Sequence, residues 1–265
     1  MAYKAGFVNI FGKPNAGKST LLNALLGEKL AITSPKVQTT RHRILGILNM
    51  PEVQIIFSDT PGIIKPEYKL HEKMMQAVRS AAEDADIALL MMDANDSPGQ
   101  IEELFTSLKL KAPKILVINK TDLVGNERLL QIRKSFTKGS FADIVEISAL
   151  EKNNLDILIK RIVSLLPESP PYYPEDMLTE KPLRFFVAEL IREKIFILYQ
   201  KEIPYHTTVL VTQFEEKKTL TKIVADIIVQ RETQKGIILG EKGRMIRELG
   251  RLSRLDIESF LGRKV

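Results

Sequence analysis

A chain of 265 residues, 44% hydrophobic and 27% charged, is long enough for two modest cores and too apolar to be disordered throughout. It holds no cysteine and three scattered histidines, which excludes disulfides, thiolate metal sites and a cysteine nucleophile and argues against a histidine-rich metal centre. The net charge of +6 suggests a polyanionic partner without choosing among nucleic acid, phospholipid and nucleotide.

Up to residue 166 short β-branched runs alternate with longer helical patterns, as in an α/β domain whose mostly parallel sheet carries helices on both faces. Strands are expected at 6–11, 44–49, 53–58, 87–93, 115–119 and 144–147, and helices at 17–27, 70–84, 99–111, 127–138 and 153–166. The apolar run at 87–92 is far shorter than a membrane span, and the N-terminus has no basic-then-apolar leader pattern, so a soluble cytoplasmic chain is the expectation. Pro167, Pro170, Pro171, Pro174 and Pro182 then crowd together, five of the chain's 13 prolines, and proline fixes φ and removes a backbone donor. This divides the chain into a nucleotide-binding domain at 1–168, a linker at 169–182 and a second domain at 183–265. In the second domain a helix is expected at 183–200, strands at 207–214 and 220–231, and a helix at 242–253.

The first motif fits G-x-x-x-x-G-K-[ST]: Gly12, Lys13, Pro14, Asn15, Ala16, Gly17, Lys18 and Ser19, followed by Thr20, lie after a strand and open a helix. Backbone N–H groups there can wrap phosphates, Lys18 adds charge at the β and γ positions, and the Ser19 hydroxyl can ligate Mg2+. Asp59, Thr60, Pro61 and Gly62 follow the third strand; the carboxylate reaches Mg2+ through water, and the Gly62 N–H meets a γ-phosphate. Asn119, Lys120, Thr121 and Asp122 follow the fifth strand. A carboxylate there accepts from the N1 and N2 donors of guanine, a pair adenine lacks. Ser148 and Ala149, after the sixth strand, can support the guanine O6 through backbone N–H groups.

Gly240, Glu241, Lys242 and Gly243 form a G-x-x-G turn with Ile237 among the aliphatic residues before it. In a KH module these glycines let the backbone approach single-stranded nucleotides closely. The preceding helix–strand–strand order supports an α+β KH domain of type II. Arg244, Arg247, Arg251 and Arg254 recur every three or four residues and can share one face toward phosphate. Residues 231–265 hold nine Lys or Arg against five Asp or Glu, which places the basic end of the domain here. No aromatic residue interleaves with these arginines, which disfavours a stacking platform.

The order GKPNAGKS, QTTRHR, DTPG, NKTD and SAL, with the G-x-x-G domain after it, resembles the Era family of translation-factor-class GTPases across nearly the whole chain. The resemblance implies GTP hydrolysis with Mg2+. It makes Thr40, ahead of Thr39, the switch threonine that ligates the metal, and Lys18, Thr40, Asp59 and Gly62 the catalytic set. It also implies binding of the 3′ end of small-subunit ribosomal RNA, a role in 30S assembly and, together with the positive charge, peripheral contact with a membrane. Ile63 stands where Ras-like enzymes carry a water-orienting glutamine. Several relatives with an apolar residue there recruit K+ through a phosphate-loop asparagine, the position of Asn15. Family members continue into a third KH strand, so the domain is expected to lack its last strand. The competing expectation is a non-hydrolysing RNA-binding scaffold that holds GTP as a structural ligand; the intact catalytic set favours the enzyme. The histidines, His42, His71 and His206, are expected at the surface or facing a partner, Met74, Met75, Met91 and Met92 in the core, and Asp93 in a turn or cap.

Overall fold

The computed structural model describes residues 2–136 and 141–265, which form two compact units. The last two residues of the helix expected at 127–138 lie outside the described residues. In the first unit the strands are β1 (Lys4–Gly12), β2 (Ile44–Met50), β3 (Val53–Asp59), β4 (Ile87–Asp93), β5 (Lys114–Asn119) and β6 (Asp143–Glu146). They form one sheet in the order β2-β3-β1-β4-β5-β6, with β2 antiparallel to β3 and every other pairing parallel. The helices of this unit are α1 (Lys18–Leu26), α2 (Lys69–Glu83), α3 (Pro98–Thr106), α4 (Asn126–Phe136) and α5 (Leu155–Leu165).

Side chains alternate across a strand, so Ala88, Leu90 and Met92 of β4 join a core with Met74, Met75 and Val78 of α2, Ile101 and Phe105 of α3, and Ile132 of α4. On other strands α1 packs against β1, β2 and β3, and α5 against β6. The four expected core methionines are all buried. Because the parallel strands share one direction, the loops after β1, β3, β4, β5 and β6 leave the same edge of the sheet, the place where open α/β sheets bind ligands.

α3 stops at Thr106 rather than at 111, since Lys109 takes a φ of 49° and Pro113 follows. Residues 169–180 pack as part of the first unit. Gln54 accepts from the Tyr172 and Tyr173 N–H groups, Ile47 N donates to Leu178 O, and Tyr172 meets the Phe7 ring edge-on. Extended proline-rich chain has unpaired backbone groups to offer a sheet edge, and composition alone does not reveal that docking.

The second unit comprises residues 181–265 and the segment Ile32–Thr39. It contains α6 (Leu183–Leu198), β7 (Thr207–Glu216), β8 (Thr221–Val229), α7 (Glu232–Leu239) and α8 (Arg244–Leu261). Val187, Leu190, Ile191 and Ile195 of α6 pack with Val209 and Val211 of β7 and with Ile238, Leu249 and Ile257. Leu183, the first residue of the helix, is exposed. Among the described residues the sheet is the antiparallel pair β7-β8, and Thr221 N donates to Lys264 O alongside it. Segment 32–39 is clasped by α6: Lys36 Nζ donates to the carbonyls of Phe196 and Tyr199, a cation on the acceptor end of a helix, and Arg192 donates to Thr39 O. No helix among the described residues is long and apolar enough to cross a membrane.

Candidate functional site

The phosphate loop runs from the end of β1 into α1, where Gly17 has a φ of 99° and a Cβ would lie 2.3 Å from Asn119 Nδ2. No side chain fits there. Lys18 is buried and folds its ammonium back onto the loop, 2.8 Å from Lys13 O and 3.3 Å from Gly12 O. Burial lowers its pKa to about 8, even though the Asp59 carboxylate pulls it upward. The loop after β3 closes against the phosphate loop: Ile63 N donates to Gly12 O at 3.0 Å, and a Cβ on Gly62 would meet Pro14 N at 2.7 Å. Thr60 hydroxyl donates to Ile10 O at 2.6 Å, fixing this loop on β1.

Three side-chain oxygens converge beneath the loop. Ser19 Oγ donates to Asp59 Oδ2 at 2.6 Å and lies 2.9 Å from Thr40 Oγ1, which is 3.4 Å from the same carboxylate oxygen. Burial raises the pKa of Asp59 against the Lys18 charge and the Ser19 and Thr40 hydrogen bonds, and its Oδ1 is buried with no hydrogen-bond partner. Hard oxygen donors around an unsatisfied carboxylate atom fit Mg2+. The Thr39 hydroxyl instead donates to Lys36 O at 2.8 Å. Arg43 fastens the chain just beyond Thr40: Nε donates to Ser58 Oγ at 2.6 Å and the guanidinium pairs with Asp84.

At the other end, Asn119 joins three loops. Its Nδ2 donates to Ala16 O at 2.8 Å and its Oδ1 accepts from Ala149 N at 2.9 Å, while Thr121 N donates to Ile147 O. Asp122 sits exposed in the 3-10 turn Thr121–Leu123, free of the core and able to meet a base. Ser148 is buried and bridges Asn153 through the backbone. Ile63 packs against the α2 and α3 core, so it has neither the chemistry nor the direction to orient a water.

In the second unit the G-x-x-G turn is a 3-10 turn, Glu241–Gly243, between α7 and α8, with Glu241, Lys242, Arg244, Arg247 and Arg251 exposed and Ile237 half-exposed beside it. Arg247 folds back on the carbonyls of Lys242 and Gly243, and Arg251 makes a two-pronged pair with Glu248, which offsets part of its charge. Of the three histidines, His71 corrects the expectation of a surface position: it is buried, accepts from Glu67 N at 3.3 Å and lies 3.8 Å from the Tyr68 ring centroid. The backbone donor and the neighbouring ring together hold the imidazole in its buried place.

A search of protein families matches residues 7–120 to the 50S ribosome-binding GTPases and residues 202–265 to the KH domains. GTPase Era of Halothermothrix orenii is 43% identical over all of this chain and 91% of its own, and that of Thermoanaerobacter pseudethanolicus 45% identical over all of this chain and 89% of its own. The chain belongs to the Era family of GTPases. Consistent with that membership, a crystal structure of Era in complex with MgGDPNP and nucleotides 1506–1542 of 16S ribosomal RNA superposes with a TM-score of 0.94 at 42% identity, covering 99% of this chain and 91% of the other. An Aquifex aeolicus Era variant bound to GDP·AlF4− gives the same TM-score, identity and coverage. Like the Era proteins, this chain is a P-loop GTPase followed by a KH domain.

Proposed function

We propose that this GTPase docks through its KH domain on the 3′ end of small-subunit ribosomal RNA and acts in 30S subunit assembly, with residues 1–168 performing the nucleotide chemistry, 169–182 linking and 183–265 holding RNA. The observation that carries the reading is the Ser19, Thr40 and Asp59 oxygen cluster beneath a complete phosphate loop, in one chain with an exposed G-x-x-G turn. The Era complex with MgGDPNP and 16S ribosomal RNA supports the ligands.

Mg2+, when bound, neutralises charge on the β and γ phosphates. Ser19, Thr40 and Asp59, whose oxygens converge beneath the loop, would hold it. Lys18 exchanges its two loop carbonyls for phosphate oxygens, so that its charge is already aimed where negative charge grows during transfer to water. The Gly62 N–H, on a backbone that runs too close to Pro14 for any side chain, would follow the γ-phosphate. The base lies between Asn119, Lys120, Asp122 and the Ser148, Ala149 turn.

Because Ile63 cannot position water, K+ beside Asn15 supplies the missing charge in this reading; Asn15 has a φ of 62°, at the outer bend of the loop. Hydrolysis should therefore be faster in K+ than in Na+ at equal ionic strength, and Asn15→Ala should erase the difference; equal wild-type rates would remove the cation. A GTPase assay with and without 30S subunits tests the whole reading, with stimulation expected. Cytoplasmic localisation with peripheral contact to anionic membrane is part of the same proposal, supported by the net charge of +6, and sedimentation with vesicles with and without phosphatidylglycerol checks it.

A further inference from the structure

The turn after β4, residues 93–96, touches both ends of the nucleotide site. Asp93 Oδ2 lies 2.6 Å from Lys120 Nζ, and Asp96 Oδ1 lies 3.2 Å from Lys13 Nζ. The turn is itself held on every side. Asp93 Oδ1 accepts from both Asn95 N and Asn95 Nδ2, Asp93 N donates to Asp96 Oδ2, and Ala94 N donates to Asn119 O. From α4, Arg128 donates to the carbonyls of Ala94 and Asp96. In the sheet Asp93 and Asn119 are register partners, so the two loops leave adjacent strands at the same height.

Lys120 needs such a brace. Its backbone sits at φ 62°, ψ 39°, a left-handed conformation that a residue with a Cβ adopts unfavourably, and its side chain is 32% exposed. With the backbone fixed by the turn and the ammonium fixed by Asp93, its methylene stem is an immobile apolar bar beside Asn119 and Asp122, suited to cover one face of a purine. Burial pulls the Asp93 pKa upward, but the hydrogen bonds from Lys120 and Asn95 and the Lys120 charge outweigh it and hold the carboxyl below its ordinary range.

We propose that Asp93 is a positioning residue of the guanine site, setting Lys120 for the base and thereby controlling how long either nucleotide is held, without acting on the transferred phosphate. The inference rests on the assignment of the Asn119 to Asp122 turn to guanine. It follows that Asp93 matters equally for GDP and GTP, because both carry the base.

Asp93→Asn keeps the shape and an oxygen for Asn95 and removes the charge that holds Lys120. Stopped-flow release of methylanthraniloyl-GDP and methylanthraniloyl-GTP should accelerate by a common factor of about three to five. KM for GTP should rise by a similar factor while kcat at saturating GTP stays within about twofold. Lys120→Ala should weaken both nucleotides alike, and adding Asp93→Asn to it should cause no further loss, since the two residues act as one unit. Asp93→Glu should recover part of the affinity. Unchanged release in Asp93→Asn would overturn the proposal, as would full multiplication of the two losses in the double variant or a fall in kcat at constant KM. Should Asp93→Asn lower the melting temperature, Asp93→Glu decides: affinity recovered with the melting temperature supports positioning, and a recovered melting temperature without affinity overturns it. Failure of the guanine assignment itself shows separately, as failure of Asp122→Asn to shift selectivity toward xanthine nucleotide.

Discussion

Asp122 is exposed and on a turn whose neighbours are pinned to two other loops, so in the proposed reading its carboxylate is available for the base. Asp122→Asn presents a donor where guanine also donates, and should cost GTP about a hundredfold in affinity while improving XTP, measured by fluorescence competition. Unchanged selectivity would remove Asp122 from base recognition. Lys18 gives a second prediction through its depressed pKa of about 8 against 10.5 for the free side chain. Below about pH 8 the folded nucleotide-free protein carries a buried ammonium that the unfolded chain carries in water, a cost to folding. Between about 8 and 10.5 the unfolded chain binds the proton that the native protein has released, so stability rises with pH across that window. The melting temperature of nucleotide-free wild type should therefore climb relative to Lys18→Met from pH 8 upward, and a flat difference would contradict the burial of the charge. Asp122 and Lys18 were both legible as sequence because their spacing is set by phosphate and base chemistry. His71 was not, since a lone histidine carries no sign of the Tyr68 ring and Glu67 N–H that bury it.

At the scale of elements, the strands of the sheet were legible to within about two residues because each is a short apolar run bounded by polar or turn-forming residues. Elements whose ends depend on contacts were less so. Helix α7 follows β8 with only the turn at 230–231 between them, and its eight residues are polar up to Gly236 with apolar residues only at 237–239, so it shows no helical periodicity. Helix α8 runs eight residues past the expected end at 253 because Ile257 still faces the core. The G-x-x-G motif was legible, and the structure distinguishes its two glycines. Gly240 has φ 69°, ψ 175°, a region open essentially to glycine alone, and a Cβ there would lie 2.5 Å from Met245 Cγ. Gly243 is ordinary left-handed backbone with its nearest contact at 3.9 Å. Gly240→Ala should destabilise by about 1–3 kcal/mol and weaken single-stranded RNA binding. Gly243→Asn should remain close to wild type in melting temperature, because asparagine tolerates this conformation. Equal effects of the two substitutions would contradict the described turn.

For the molecule as a whole, charge and core are divided rather than shared. Up to residue 170 there are 22 basic and 19 acidic residues and beyond it 17 and 14, so each part carries +3, and each unit has its own apolar cluster. Composition located the division near the prolines. It could not show that residues 169–180 pack with the first unit or that 32–39 packs with the second, because those memberships rest on hydrogen bonds between side chains and backbone groups distant in sequence. With separate cores, a change confined to the exposed Glu241 and Lys242 leaves the phosphate loop's own packing untouched. Replacing both by aspartate shifts local charge by minus two, all of it at Lys242, where a cation becomes an anion, and places two short carboxylates where nucleotide phosphates approach closely. The double variant should lose at least about tenfold in affinity for an RNA matching the 3′ end of small-subunit ribosomal RNA, with a shallower salt dependence, and keep its GTP affinity. Filter binding and nucleotide titration on one preparation measure both. Retained RNA affinity would mean that another surface holds the strand, and parallel loss of both ligands would mean that the variant had unfolded.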